Sequence, residues 1–172
     1  MNLFNHNQIV YSLDTSSLID AYRFLYPMEN FPALWQELEK LIRDDRLKMS
    51  EFVFAEAMQD KVLDKWCRET GLKPYLELKI DDSDQQEVRK ILSRYPGMLN
   101  IKKGTSGADP WVIALAMKFQ NGVVVTEEKS TGNLQHPRIP DVCKVSNIEC
   151  VTIAGVVKKE NWIFGYKEQS GP

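Results

Sequence analysis

Asp14, Glu56, Asp109 and the adjacent pair Glu127 and Glu128 are the side chains of this sequence whose types and settings suit shared chemistry. Asp14 closes the apolar run Ile9-Val10-Tyr11-Ser12-Leu13. Glu56 lies on a helical stretch that follows a second short apolar segment. Asp109 stands before Pro110 and a nearly all-apolar stretch, and Glu127 and Glu128 follow Val123-Val124-Val125-Thr126. Ligands of open α/β sheets bind outside the carboxyl ends of the strands, so acids at strand ends and helix starts meet there despite their separation in sequence. A set of carboxylate oxygens with no Cys or His beside it suits a hard cation, Mg²⁺ or Mn²⁺.

Each acid also has a plainer reading. Asp14, before Thr15-Ser16-Ser17, and Asp109, before Pro110, both suit the N-cap of a helix. Glu56 within a helix is ordinarily solvated, and Glu127 and Glu128 fit a polar loop. Successive side chains of an extended segment point in opposite directions, so one of Glu127 and Glu128 is expected to face the crevice. Ser16 is positioned to hydrogen-bond a carboxylate, a metal-bound water or a phosphate. Lys102, Lys103 and Lys129 flank the acids as phosphate contacts or as ordinary solvated lysines.

The elements that would hold these residues follow from periodicity. Leu18, Ile19, Tyr22 and Leu25 recur at helical spacing up to Tyr26-Pro27. Asn30 is expected to cap the next helix, in which Leu34, Leu38, Leu41 and Ile42 form one apolar stripe. Leu47-Lys48-Met49 reads as a short strand, and Ser50 as the cap of a helix running through Val53, Phe54, Ala57, Met58, Val62 and Trp66. Ser83-Asp84-Gln85-Gln86 has the spacing of a capping box. Residues 100–107 read as a mobile loop before the apolar helix from Trp111 to Met117. Val123-Val124-Val125 is a strand covered on both faces. Ile139-Pro140-Asp141-Val142-Cys143 begins a short helix, Cys150-Val151-Thr152-Ile153 is a last strand, and residues 154–159 a last helix. Strands alternating with helices predict βαβ units, a mainly parallel central sheet and a three-layer α/β/α sandwich.

The 172 residues fit one domain, spanning 1–172, and 43% hydrophobic with 27% charged residues is ordinary for a folded globular chain. A net charge of −2 disfavours the broad basic surface that grips duplex DNA, though a small metal-centred nuclease does not need one. No run reaches the ~20 apolar residues of a membrane span, and the first eight residues lack the pattern of a signal peptide, so the expected location is the cytoplasm. Cys67, Cys143 and Cys150 form neither a zinc pattern nor a disulfide framework and are expected to be free or buried thiols. Trp35, Trp66 and Trp162 are core candidates, with an interface role if exposed.

The order of the acids resembles the PIN domain family. The resemblance rests on Asp14-Thr15-Ser16 at a strand end, Glu56 on an early helix, Asp109 opening a helix of the form Asp-x-x-x-Ile-Ala, and a strand ending in Val-Thr before an acid. It covers the chain from Ile9 to about Ile153. The segments Ile139-Pro140-Asp141-Val142-Cys143 and Trp162-Ile163-Phe164 look like those of an uncharacterised prokaryotic PIN-like subgroup. The resemblance implies a Mg²⁺- or Mn²⁺-dependent ribonuclease, with Asp14, Glu56 and Asp109 as the first three acidic positions. The fourth, commonly an Asp in the family, falls on Glu128, with Glu127 as its rival. It also implies the toxin of a toxin–antitoxin pair, an antitoxin partner and a homodimer. Two further readings stand beside it: a PIN-like binding or regulatory module without catalysis, and a receiver-like domain or phosphatase using Asp14 as nucleophile.

Overall fold

The structure is a computed structural model and describes residues 8–99 and 107–165. Five strands form the sheet: β1 (Val10–Leu13), β2 (Leu47–Ser50), β3 (Glu77–Leu78), β4 (Gly122–Val125) and β5 (Glu149–Val151). Their order is β3-β2-β1-β4-β5 and every pairing is parallel. Helices cover both faces, giving the three-layer α/β/α sandwich that the alternating pattern predicts. The chain steps outward from β1 to β3, then crosses back to β4 on the other side of β1. That reversal lies between β1 and β4, whose register pairs Leu13 with Val125 at their carboxyl ends. A ligand crevice belongs at such a switch point.

The central strands carry no solvated face. Val10, Tyr11, Ser12 and Leu13 are all buried, as are Val123, Val124 and Val125. This is why they read as continuous apolar runs rather than alternating ones. Helix α1 (Thr15–Asp20) follows β1 directly and passes into a π-helical turn over Ala21–Leu25, where the amide of Tyr26 donates to Ala21 O at 2.6 Å. In α2 (Pro32–Arg43) the stripe Leu34, Leu38, Leu41 and Ile42 is buried as expected, together with Trp35. Trp66 is buried too, edge-on to Trp35, and the half-buried Trp162 packs against the core.

Several local expectations are corrected. The cap of α2 is Phe31 rather than Asn30, and it makes no side-chain capping bond. The single helix expected from Ser50 to Trp66 is two: α3 (Glu51–Ala57) and α4 (Lys61–Thr70). Asp60 breaks it by capping α4, accepting from the amides of Val62 and Leu63 at 2.9 and 3.1 Å while also binding Tyr22 and Arg23. Ser50 sits at the cap of α3, but its hydroxyl makes no capping bond. After the short α5 (Lys73–Leu76) comes β3, a strand that the sequence pattern does not announce. The capping box of α6 (Asp82–Arg94) is built by Asp81 and Asp84, two residues before the expected Ser83. α7 (Asp109–Met117), α8 (Ile139–Val145) and α9 (Ile153–Lys159) match expectation, and β5 begins one residue earlier than its pattern and ends at Val151. The loop expected over 100–107 lies outside the described residues except for Gly107.

At the amino ends of the strands, Arg46 forks onto Glu160 at 2.6 and 2.8 Å, and Tyr11 donates to the same carboxylate at 2.7 Å. This clasp holds the chain after α9 against β1. At the carboxyl ends, hydroxyls around Asp14 tie three other elements together. Ser12 donates to Val112 O in α7 at 2.6 Å, Thr15 to Val53 O in α3 at 3.4 Å, and Ser17 to Val125 O in β4 at 2.9 Å. Ser12 and Ser17 are fully buried, so these bonds are shielded from water. Ser12→Ala is expected to cost about 1 kcal/mol and to lower Tm by roughly 2–4 °C. Thermal denaturation checks this, and an unchanged midpoint would show that the tether contributes nothing.

Candidate metal centre

Asp14 follows β1 immediately and is 7% exposed. It occupies the cap position of α1, as its plainer reading has it, but makes no side-chain capping bond. Its Oδ2 instead accepts hydrogen bonds from the hydroxyls of Ser16 and Thr126, the latter at 3.0 Å. Thr126 follows β4 directly and passes the order on, because its Oγ1 accepts from the amide of Glu128 at 3.1 Å. Burial pushes the pKa of Asp14 up, and the two hydroxyls act against that by favouring the charged form.

Asp109 is the first residue of α7, one place inside the cap position, which Ala108 occupies. Its carboxylate is therefore free of a capping role as well. The helix behind it, from Pro110 to Ala116, is buried at every position but Trp111 and fixes where the acid stands. The pKa of Asp109 is pushed up to about 7. Burial is the largest cause, and the carboxylates of Glu128, Asp14 and Glu56 each raise it further. That mutual repulsion links acids from α3, α7 and the ends of β1 and β4 in one electrostatic neighbourhood.

Glu56 projects from α3, which Thr15 tethers to the strand end carrying Asp14. Glu128 is half-buried, and its Oε2 accepts from the amide of Ile139 at 3.1 Å. Burial raises its pKa first and Asp14 adds to the rise. Glu127 turns the other way: its Oε1 accepts from the amide of Ile153 at 2.9 Å, and its repulsive neighbour is Asp20. The alternation of an extended segment thus sends Glu128 toward the other acids and Glu127 toward α9.

Among the described residues, no Lys or Arg forms an ion pair with Asp14, Glu56, Asp109 or Glu128. Also among the described residues, no three acidic, Cys or His side chains stand close enough together to chelate an ion as they are. The donor set nonetheless fits a hard divalent cation: it is all oxygen, partly buried, held after strand ends and on helices, and in no ion pair among the described residues, with Arg138 easing only the charge of Glu128. Ser16 is gathered with the acids through Asp14. Lys129 is exposed beside Glu128, whereas Lys102 and Lys103 lie outside the described residues.

Two residues that shape this site carried no expectation from sequence. Thr126 bridges Asp14 to Glu128. Asp141, buried in α8, gathers the loop after β4 by accepting from the hydroxyls of Ser130 and Thr131 and from the amides of Thr131, Gly132 and Arg138. Although burial opposes it, these donors hold the Asp141 carboxyl well below the usual carboxylate range. A Thr at the end of an apolar strand and an Asp in the first turn after Ile139-Pro140 were the available signals.

An acid whose pKa is near 7 when folded, against ~4 when unfolded, binds its proton more tightly in the fold. Its contribution to stability is therefore complete below about pH 4 and is lost as pH rises through about 7. Asp109→Asn, neutral at every pH, removes this dependence. Without divalent ions, the Tm advantage of the variant over the native chain is expected to grow between pH 5 and 7.5. Parallel Tm–pH curves for the two proteins would contradict the shared-charge account. No curated protein matches the chain. A family model described as Domain of unknown function (DUF4411) matches residues 11–164, nearly the whole length, and the chain belongs to that family.

Proposed function

We propose that this protein is a divalent-metal-dependent nuclease that hydrolyses phosphodiester bonds, with RNA as substrate. The observation that carries the reading is the raised pKa of Asp109, produced by burial and by three neighbouring carboxylates at the switch point of a parallel sheet. Choice of RNA rests on the likeness of the acidic order to PIN domains. The same likeness brings in an antitoxin partner and a homodimer as parts of the proposal, and the cytoplasmic location expected from the sequence joins them. Among the described residues, no helix is long and apolar enough to cross a membrane.

In this proposal Asp14 and Asp109 hold Mg²⁺ or Mn²⁺ directly, and Glu56 and Glu128 hold it through water or share a second ion. The ion would supply a water of lowered pKa and would stabilise charge on the phosphate. Ser16 and Thr126 keep the Asp14 carboxylate oriented, and their hydrogen bonds favour its charged form against the effect of burial. Asp109 would give up its proton as the ion binds, because its raised pKa comes from burial and from the repulsion of the neighbouring carboxylates. No covalent enzyme intermediate is required.

The test is cleavage of a single-stranded RNA oligonucleotide with Mg²⁺ or Mn²⁺. Asp14→Asn and Asp109→Asn are each expected to lower the rate by about a hundredfold or more, since even residues behind a metal's ligands cost 10–100-fold. Circular dichroism should show both variants folded. Wild-type cleavage by Asp14→Asn would sink the assignment. The alternative, a binding module without catalysis, is favoured by one observation: Asp14 already has two hydroxyl partners on one oxygen. It predicts no cleavage and no gain in Tm on adding Mn²⁺.

A further inference from the structure

A cavity of about 330 Å³ opens beside the acids, between α8, β5 and the end of β4. Glu128 belongs both to its wall and to the acidic neighbourhood, so whatever occupies the cavity lies next to the proposed scissile phosphate. Its volume is at the lower end of the range for small-molecule sites. A folded partner would need a far larger area.

The lining has two chemical characters. Pro140, Ile148 and Val151 give an apolar surface. Lys144 and Thr152 give hydrogen-bond donors. Lys144 is exposed near the end of α8 and forms no ion pair among the described residues. The hydroxyl oxygen of Thr152 accepts from the amide of Gly155 at 3.3 Å, which leaves its O–H proton free to donate. The acceptor in the wall is Glu128, already paired with the amide of Ile139. Free donors beside a small apolar wall complement a phosphate attached to a flat, weakly polar ring. Apolar contact of this kind reads no base edge, so it does not distinguish one base from another.

We propose that this cavity is a nucleotide subsite, in which Lys144 and Thr152 hold a phosphate and Pro140, Ile148 and Val151 hold the attached base. It rests on the nuclease reading for its role: it seats the nucleotide adjoining the bond to be cleaved.

The test titrates the ¹⁵N-labelled full chain, in excess chelator, with uridine and adenosine 5′-monophosphates and with inorganic phosphate. Saturable amide shifts confined to residues 140–152 and tighter binding of both nucleotides than of phosphate are expected. Lys144→Glu should weaken binding by roughly tenfold, the size of one charge-assisted hydrogen bond, with Lys144→Arg close to the native chain. Lys144 is exposed, so an unchanged Tm will confirm that the variants fold. Shifts elsewhere, insensitivity to Lys144→Glu, or phosphate binding as tightly as nucleotide would overturn the subsite. In the cleavage assay, Lys144→Glu should raise KM more than it lowers kcat. Nucleotide binding in a chain that never cleaves RNA would leave the subsite and end the nuclease reading. Cleavage with KM indifferent to Lys144→Glu would do the reverse.

Discussion

Repulsion among four partly buried carboxylates at one rim of the sheet is the constraint that the surrounding structure must satisfy. Burying like charges together is unfavourable unless a proton, a cation or dedicated donors compensate. The protein supplies donors to Asp14 and Glu128 but only partly, and Asp109 keeps its proton to near neutral pH. A fold under selection for stability alone would have no use for this arrangement. Strain of this kind concentrates at functional sites, where perturbed acids are useful.

Rigid support is what keeps such a cluster from relaxing apart. Ser12, Thr15 and Ser17 flank Asp14 on both sides, and each reaches the backbone of a different element: α7, α3 and β4. The first two carry Asp109 and Glu56, and the chain leaving β4 carries Glu128. Thr126 and Asp141 extend the network through the loop after β4. The opposite end of the sheet handles charge differently. There Glu160 is matched by Arg46 and Tyr11, and its carboxyl is held below its ordinary range although burial opposes it. One rim is neutralised by an ion pair within the chain; among the described residues, the acids of the other form none.

Much of this was legible in the residues. Apolar runs marked β1 and β4 because central parallel strands are covered on both faces, and Asp14, Asp109 and Glu128 could be placed by the strand ends and helix start beside them, with Glu56 within a helix. The resemblance put the fourth acid on Glu128 with Glu127 as its rival, and the direction of the segment after Thr126, which two consecutive glutamates cannot disclose, turns Glu127 away toward α9. β3 is two residues long, too short to show a period. The break between α3 and α4 was hidden because Val53, Phe54, Ala57, Met58, Val62 and Trp66 keep helical spacing straight through it. Asp60 decides the break by tertiary bonds to Tyr22 and Arg23. The hydroxyl tethers were illegible for a related reason: a side chain bonded to a backbone carbonyl a hundred residues away leaves no pattern in sequence.

The central claim is that these acids share one space and await a positive charge. ¹³C-detected titration of the Asp109 carboxyl, with and without saturating Mg²⁺, measures this directly. The account predicts a pKa near 7 in chelator and a fall to the ordinary carboxylate value, ~4, or below when Mg²⁺ is present. An ordinary value in chelator, or a raised one that Mg²⁺ does not move, would contradict it.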